Sequence, residues 1–384
     1  MVHSRPSSAA EFTQLAHDAA RAAGASLVRI TAATRDEHAQ RAMAESFARG
    51  DFATWGYTSE YAQAATDPAN ILPGARSVIC IAVAYATPKL RYRPLHGRVS
   101  NYAWSSDYHR RMRDLLAEVA SALDTAAGAS VTAIACDTKP LAERAFAAQS
   151  GLGWIGKHTN LIASTVGSFV FLGEVITTLD LVADAPTKKT CGACTRCVTA
   201  CPTQALRGDY TIDATKCIAD LTQRTDAIPR ALRAQIGDYV WGCDRCQEVC
   251  PPTIAAGFTQ DPQAAPLDDA LAHPSLTALL RLRSGEFKRR YAKSAMGWRG
   301  AAVLRRNAAV ALGNALDRSA IPALGQALRE DPHPQVRGHA AWALGRIGAP
   351  QALAILRAQQ RNEMDTLVLD EIRAALEPLS LAGR

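Results

Sequence analysis

Eight of the ten cysteines in this 384-residue chain fall between Cys191 and Cys250. Clustering of that density points to a metal centre rather than to disulfides. The run Cys191-x2-Cys194-x2-Cys197-x3-Cys201-Pro202 has the spacing of bacterial ferredoxins. Three closely spaced thiolates wrap one face of a cubane there, and the fourth points to a second cluster. The partner run Cys243-x2-Cys246-x3-Cys250-Pro251 lacks its first cysteine, and Cys217 is the one thiol left to fill the vacancy. The spacing therefore assigns Cys191, Cys194, Cys197 and Cys250 to one 4Fe-4S cluster, and Cys201, Cys217, Cys243 and Cys246 to another. Structural zinc also uses Cys-x2-Cys, but as two pairs a dozen or more residues apart, which this run does not offer. Paired clusters pass single electrons, so a group beside them must be reduced. Cys80 and Cys136 lie in apolar runs and receive no role.

A second candidate is Asp137, at the carboxyl end of the β-rich run Val131-Thr-Ala-Ile-Ala-Cys136. On chemistry alone its commoner reading is a cap for the helix that follows Pro140. The alternative is a carboxylic acid that lines a pocket and donates a proton. Gly151-Leu-Gly153-Trp-Ile-Gly156 matches G-x-G-x-x-G, yet it follows a helical stretch, whereas a dinucleotide fingerprint follows a strand. No nicotinamide site is expected there. Between residues 281 and 306, nine basic residues face Glu286 alone, an excess of eight against +7 for the whole chain. That concentration is the footprint of an anionic partner.

The elements around these groups predict an α+β chain. Residues 1–186 alternate helical and β-rich stretches, a mixed α/β domain; 187–256 form the ferredoxin-like two-cluster insert. Residues 257–300 are a linker, beginning at Gln260, with a basic helical segment, and 301–384 are all-α. Leu304-Arg-Arg-Asn-Ala-Ala-Val-Ala-Leu-Gly313 returns as Val336-Arg-Gly-His-Ala-Ala-Trp-Ala-Leu-Gly345, an offset of 32. Two helices per repeat fit that period, giving HEAT-like patterning over a plain helical bundle. The first 23 residues carry no apolar run flanked by basic residues, and no window reaches the roughly 18 apolar residues a spanning helix needs. A cytoplasmic protein that touches no membrane is expected.

Taken together, Asp137-Thr-Lys-Pro140, Glu143-Arg144, Gly151-Leu-Gly-Trp-Ile-Gly156-Lys157, Phe171-Leu-Gly-Glu174, the cysteine insert and Arg306-Asn307 resemble the epoxyqueuosine reductase family over nearly the whole chain. The resemblance implies a cobalamin-dependent reductase that removes the epoxide oxygen of epoxyqueuosine at the wobble position of tRNA. It makes Asp137 the proton donor, reversing the preference for a cap. It implies corrin contacts near Tyr102, Asp137, Arg144, Lys157, Leu161, Ser168, Leu172, Ala219, Thr222, Gly242, Cys243 and Asp244, many through the backbone. The basic segment then meets tRNA through Arg224, Lys288, Arg289, Lys293, Ser294, Trp298, Arg299, Arg305 and Arg306, with the indole available to stack. A one-electron donor protein of unknown identity and a monomeric chain complete the expectation. The chain differs from its resemblance at residues 51–70, where Phe52-Ala-Thr-Trp-Gly-Tyr57 replaces a glycine- and methionine-rich stretch, and at Pro252 and Ala219. A reductive dehalogenase acting on small molecules, or an electron-transfer subunit with a docking solenoid, would share the clusters. The first is generally exported, and the second leaves the α/β domain without a ligand.

Overall fold

The computed structural model describes residues 6–88, 91, 93–259 and 261–377. Met1 to Arg5, the linker's first residue Gln260 and the last seven residues lie outside this description. The chain packs as two units: unit 1 takes 1–88, 107–215 and 244–265, and unit 2 takes 89–106, 216–243 and 266–384. The cysteine segment is divided, with Cys217 and Cys243 in unit 2 and the other six of its cysteines in unit 1.

Unit 1 is built on four antiparallel strands, β1 (Leu27–Ala32), β2 (Ser77–Ala84), β3 (Thr132–Ala135) and β4 (Val170–Thr177), in the order β1-β2-β4-β3. Every residue of β2 is buried, which is why its sequence reads as one continuous apolar run instead of an alternation. Helices α1 (Ala9–Ala22) and α2 (Tyr108–Ala127) pack on each other, and α2 also contacts β3 and β4. A short helix, α3 (Glu143–Gln149), packs against β1, β2 and β4. Phe146 and Ala147 of α3 share a buried cluster with Val78, Cys80 and Ala82 of β2, Ala135 and Ile176. The glycine-rich stretch follows α3 and opens a hairpin, Gly153–Ile155 paired with Leu161–Ala163, as the rejection of a dinucleotide fingerprint required.

Unit 2 ends in a helical array, α4 (Ala301–Ala315), α5 (Ile321–Glu330), α6 (Pro334–Ile347), α7 (Pro350–Gln360) and α8 (Thr366–Leu376). Helices α4, α6 and α8 stack in series, as the offset of 32 demands. The repeated glycines explain the spacing. A Cβ on Gly313 would lie 2.8 Å from Ala343 Cα, and one on Gly345 would lie 2.6 Å from Ala375 Cβ. Successive helices approach at these points closely enough to exclude any side chain.

Candidate active site

Asp137 follows β3 at the tip of a tight turn. Thr138 N–H donates to Cys136 O at 2.5 Å, and Asp137 takes φ +55°. This is a γ-turn of the rare positive-φ form, a conformation that costs a non-glycine residue about 1–3 kcal/mol. The cap reading fails here. Helix α3 begins after Ala142 with no side-chain cap, and the Asp137 carboxylate turns to His109 instead.

His109 sits between two carboxylates: Nδ1 is 2.6 Å from Asp107 Oδ1, and Nε2 is 3.0 Å from Asp137 Oδ2. Both partners only accept when ionised, and with both ionised the ring donates from both nitrogens as an imidazolium. The pairing works in both directions. The hydrogen bond to Asp137 raises His109 above 6.5, and that same bond holds the Asp137 carboxyl below 3.8. Tyr108 fixes the imidazole by stacking on it at 4.1 Å and on Phe171 of β4 at 4.3 Å. Asp107 also caps α2, accepting from His109 N–H at 3.1 Å, so the helix start and the proton site share one carboxylate.

The backbone N–H of Asp137 donates to Glu143 Oε1 at 2.5 Å, and Arg144 Nη1 donates to Thr159 O at 2.7 Å. Both Asp137 and Arg144 are solvent-accessible although protein atoms surround them deeply, the condition of a recess. Tyr57 and Tyr61 stand close enough to Asp137 for its charge to add to burial in raising their phenols. These rings stack at 4.6 Å and pack with Phe47; Phe52 adjoins Phe47 and Tyr57. The divergent stretch 51–70 is therefore an aromatic wall beside the acid. Sequence reasoning missed His109 and Tyr108; their one signal was Asp107-Tyr-His at a helix start, which an N-cap explains as well.

Cys191, Cys194, Cys197 and Cys250 lie in unit 1 within electrostatic reach of one another. Burial first, then Cys191 and Cys250, raise the Cys197 thiol; burial first, then Cys191 and Cys194, raise that of Cys250. Lys157 N–H donates to Cys191 Sγ at 3.4 Å and Lys157 Nζ to Gly192 O at 2.9 Å. The segment 157–159 thus touches the cluster loop at one end and Arg144 at the other. Cys201 lines an open recess of about 530 Å³ with Val198, Thr199, Pro202, Gln204 and Leu206, room for more than a single ion. Among the described residues no three His, Cys, Asp or Glu side chains converge tightly enough for one metal ion. Thiolates around a cubane stand farther apart than around one tetrahedral ion.

Of the expected corrin contacts, Leu161 is buried in the core of unit 1, and Leu172 packs against that core. Ser168 N–H and Oγ both bond to Thr253 Oγ1, at 3.1 and 3.0 Å. Unit 2 gathers Tyr102, Thr222 and Gly242: Thr222 Oγ1 accepts from Gly242 N–H at 2.9 Å, and Tyr102 OH accepts from Trp241 Nε1 at 2.7 Å. Gly242 has φ +65°, and a Cβ there would lie 2.5 Å from Ser100 Cβ. Ala219 O accepts from Gln223 Nε2, at 2.9 Å. Asp244 is buried in unit 1.

The expected RNA contacts divide into two groups. Lys288, Arg289 and Lys293 are exposed, as is Trp298 at 54%. Arg299 is half-buried and lays its guanidinium 3.7 Å over the Trp298 ring, so one face of the indole is already covered. The other four are not surface groups. Arg224 is buried against Asp220, and Ser294 is buried with its hydroxyl on Tyr291 O. Arg305 is paired with Asp331 at 2.7 Å, and Arg306 is 1% exposed and spent on backbone carbonyls. Spacing cannot distinguish a cation that faces water from one that ties two segments together.

Three family models match: "Epoxyqueuosine reductase QueG, DUF1730" over 66–138, a 4Fe-4S double cluster binding domain over 190–253, and HEAT repeats over 299–377. The chain is 39% identical to the epoxyqueuosine reductase of Bacillus cereus over 321 residues, 82% of this chain and 84% of that one. It is 37% identical to that of Xanthomonas campestris over 308 residues, 78% and 86% of the two chains. Among solved structures, an epoxyqueuosine reductase crystallised with an epoxyqueuosine-modified tRNA-Tyr stem loop matches with a TM-score of 0.89. Identity is 32%, over 95% of this chain and 99% of that one. A Bacillus subtilis epoxyqueuosine reductase whose catalytic aspartate loop is swung out of the active site matches with a TM-score of 0.88 at 30% identity, with the same two coverages.

Proposed function

Since the chain belongs to the epoxyqueuosine reductase family, we propose that it reduces epoxyqueuosine to queuosine at the wobble position of tRNA, with Asp137 and His109 handling the proton. The observation that carries this reading is the Asp107–His109–Asp137 array at the end of β3, on a chain that also bears the double-cluster signature. Removing an epoxide oxygen breaks two C–O bonds and leaves a C=C bond. The oxygen departs as water, so the reaction consumes two electrons and two protons.

An alkoxide is a poor leaving group at neutral pH, and a positioned acid lowers that barrier by protonating the oxygen as its bond breaks. Here the available proton rests on the imidazolium, 3.0 Å from Asp137 Oδ2. Asp137 is accessible and faces the substrate side; His109, 24% exposed, stands behind it. Asp137 relays the His109 proton to the oxygen, and the second proton comes from solvent. Asp107 keeps the opposite ring nitrogen bonded, so the imidazole stays oriented through the transfer.

Cobalamin, when bound, would supply the reducing chemistry for the epoxide, and the two clusters would supply single electrons drawn from a donor protein. Accessible Asp137 and Arg144 beside the stacked rings of Tyr57 and Tyr61 offer the polar and apolar groups that a large ligand with polar edges needs. Tyr102, Asp137, Arg144, Lys157, Leu161, Ser168, Leu172, Ala219, Thr222, Gly242, Cys243 and Asp244 are the residues proposed to hold it. Cys191, Cys194, Cys197 and Cys250 would hold one cluster, and Cys201, Cys217, Cys243 and Cys246 the other. Exposed Lys288, Arg289 and Lys293, with Arg299 and Trp298, would meet tRNA phosphates and a base. Among the described residues no helix is long and apolar enough to cross a membrane. A cytoplasmic, monomeric enzyme fits a tRNA substrate.

The test is anaerobic reconstitution with iron, sulfide and cobalamin, then reductant-driven turnover of tRNA carrying epoxyqueuosine, scored by nucleoside mass analysis. Wild type is expected to yield queuosine, and Asp137→Ala little. No product from a protein loaded with both clusters and corrin would overturn the reading.

A further inference from the structure

Two carboxyl groups in unit 1 have no part in the chemistry above. Glu143 opens α3 and accepts the backbone N–H of Asp137 at 2.5 Å. Glu174 lies mid-strand in β4, opposite Cys80 of β2 and Ala135 of β3. It is 0% exposed, and neither of its oxygens meets a donor among the described residues. We propose that Glu143 is a positioning residue, the latch that holds the strained turn at Asp137 closed so that its carboxylate meets His109. The proposal rests on the reading of Asp137 as the acid.

The argument starts from strain. A positive-φ γ-turn on aspartate relaxes unless something holds it. Cys136 O takes the Thr138 N–H, but that bond belongs to the turn itself. Asp137 Oδ2 meets His109 on α2, but the bond from Asp137 N–H to Glu143 is what ties the turn's backbone to α3, which is anchored through Phe146 in the core. Without it the side chain of Asp137 loses its fixed bearing on the imidazole.

Glu143 is faced by Asp137 and His109, by its neighbour Arg144, by Tyr61 from the adjoining helix, and by Cys80, Cys136 and Glu174 from the sheet. Burial pushes Glu143 up to about 7, with the Asp137 charge adding to the rise. Burial raises Glu174 well above 4.5, and the Glu143 charge raises it further. With no donor at either oxygen, Glu174 favours its neutral form, and the charge of the pair is better placed on Glu143, against the Asp137 N–H. The latch is charged above about pH 7 and weakens below it.

Single-residue hydrogen exchange on the holoenzyme, read by mass spectrometry with electron-transfer fragmentation, tests this without substrate. Wild type should protect the Asp137 amide, with a protection factor that declines as pH falls through about 7. Glu143→Ala should lower that protection about ten-fold, as expected for losing one charge-assisted bond. Glu143→Gln keeps an accepting oxygen but cannot titrate; it should restore protection and abolish its pH dependence. In turnover, Glu143→Ala should lower kcat with KM for tRNA unchanged, and the Gln variant should recover it. Should the Ala variant also expose β4 amides, the Gln variant decides. A protected, pH-independent turn in it supports the latch, and an unprotected turn overturns it. Wild-type protection in Glu143→Ala would overturn it as well. Loss of protection with no queuosine from any variant would retain the latch and reject the reaction.

Discussion

Replacing Arg306 by methionine should unfold unit 2 early and leave RNA affinity alone, the reverse of what its place in a basic run suggests. The guanidinium donates to Leu221 O at 3.0 Å, Arg224 O at 2.8 Å and Asp226 O at 2.5 Å, and also contacts Asn307 Oδ1. Asn307 itself holds Thr222 O and Val240 O, at 2.7 and 2.8 Å. Methionine fills the volume but leaves these carbonyls facing a thioether. Each fully buried orphan acceptor costs about 1–3 kcal/mol, and the Asp226 carbonyl, partly open, recovers water. Leu221 O, Arg224 O and Asn307 Oδ1 are three such buried orphans, costing about 3–9 kcal/mol. Against this stands relief from burying a cation, a burden visible in its being pulled down to about 9 by burial. A net loss of about 3 kcal/mol lowers the melting temperature of a unit this size by roughly 6–12 °C. Calorimetry on the holoenzyme reads the shift. Because 222–226 follows directly on the short helix Ile218–Leu221 after Cys217, iron should also be lost, about four of eight atoms. The salt dependence of RNA binding, measured well below the transition, should not change. An unchanged melting temperature together with a salt slope reduced by about one would refute the reasoning and return Arg306 to the surface.

Lys288→Ala, Arg289→Ala and Lys293→Ala should each weaken binding of an anticodon stem loop and reduce the salt slope by about 0.7–0.9, by fluorescence anisotropy across salt concentrations; stability should be unaltered. His109→Gln should slow turnover and remove the alkaline limb of the kcat profile, since wild type loses the stored proton as pH rises through a His109 value raised above 6.5. The same pair contributes stability below 6.5, lost as pH rises through the raised His109 value, and above 3.8, lost as pH falls through the lowered Asp137 value. Denaturant midpoints of wild type minus Asp137→Asn should trace that window. Cys194→Ser should cost about four irons and the matching absorbance, whereas Cys80→Ser, at a fully buried site outside the cysteine runs, should keep all eight.

Much of the chain was legible because its signals are local. The cysteine spacing specifies a double cluster since ligands a few residues apart must share a metal face, and the offset of 32 specifies stacked helices since each repeat buries the same face. The buried strand Ser77–Ala84 announced itself as an unbroken apolar run. Asp137 was visible as a candidate, but its role as a cap or an acid turned on which way one side chain points.

What the sequence by itself determined, then, is composition of parts: the double-cluster signature, the repeat, the family resemblance and the existence of a basic segment. Only tertiary structure decided which charges are spent internally and which carboxylates flank His109. Arg305 and Lys288 look alike in a string of residues, yet one is paired with Asp331 and the other faces water. His109 lies 28 positions before Asp137, and their 3.0 Å hydrogen bond exists because β3 and the start of α2 are brought together by packing. Charge and protonation depend on distance and burial, and a linear sequence carries neither.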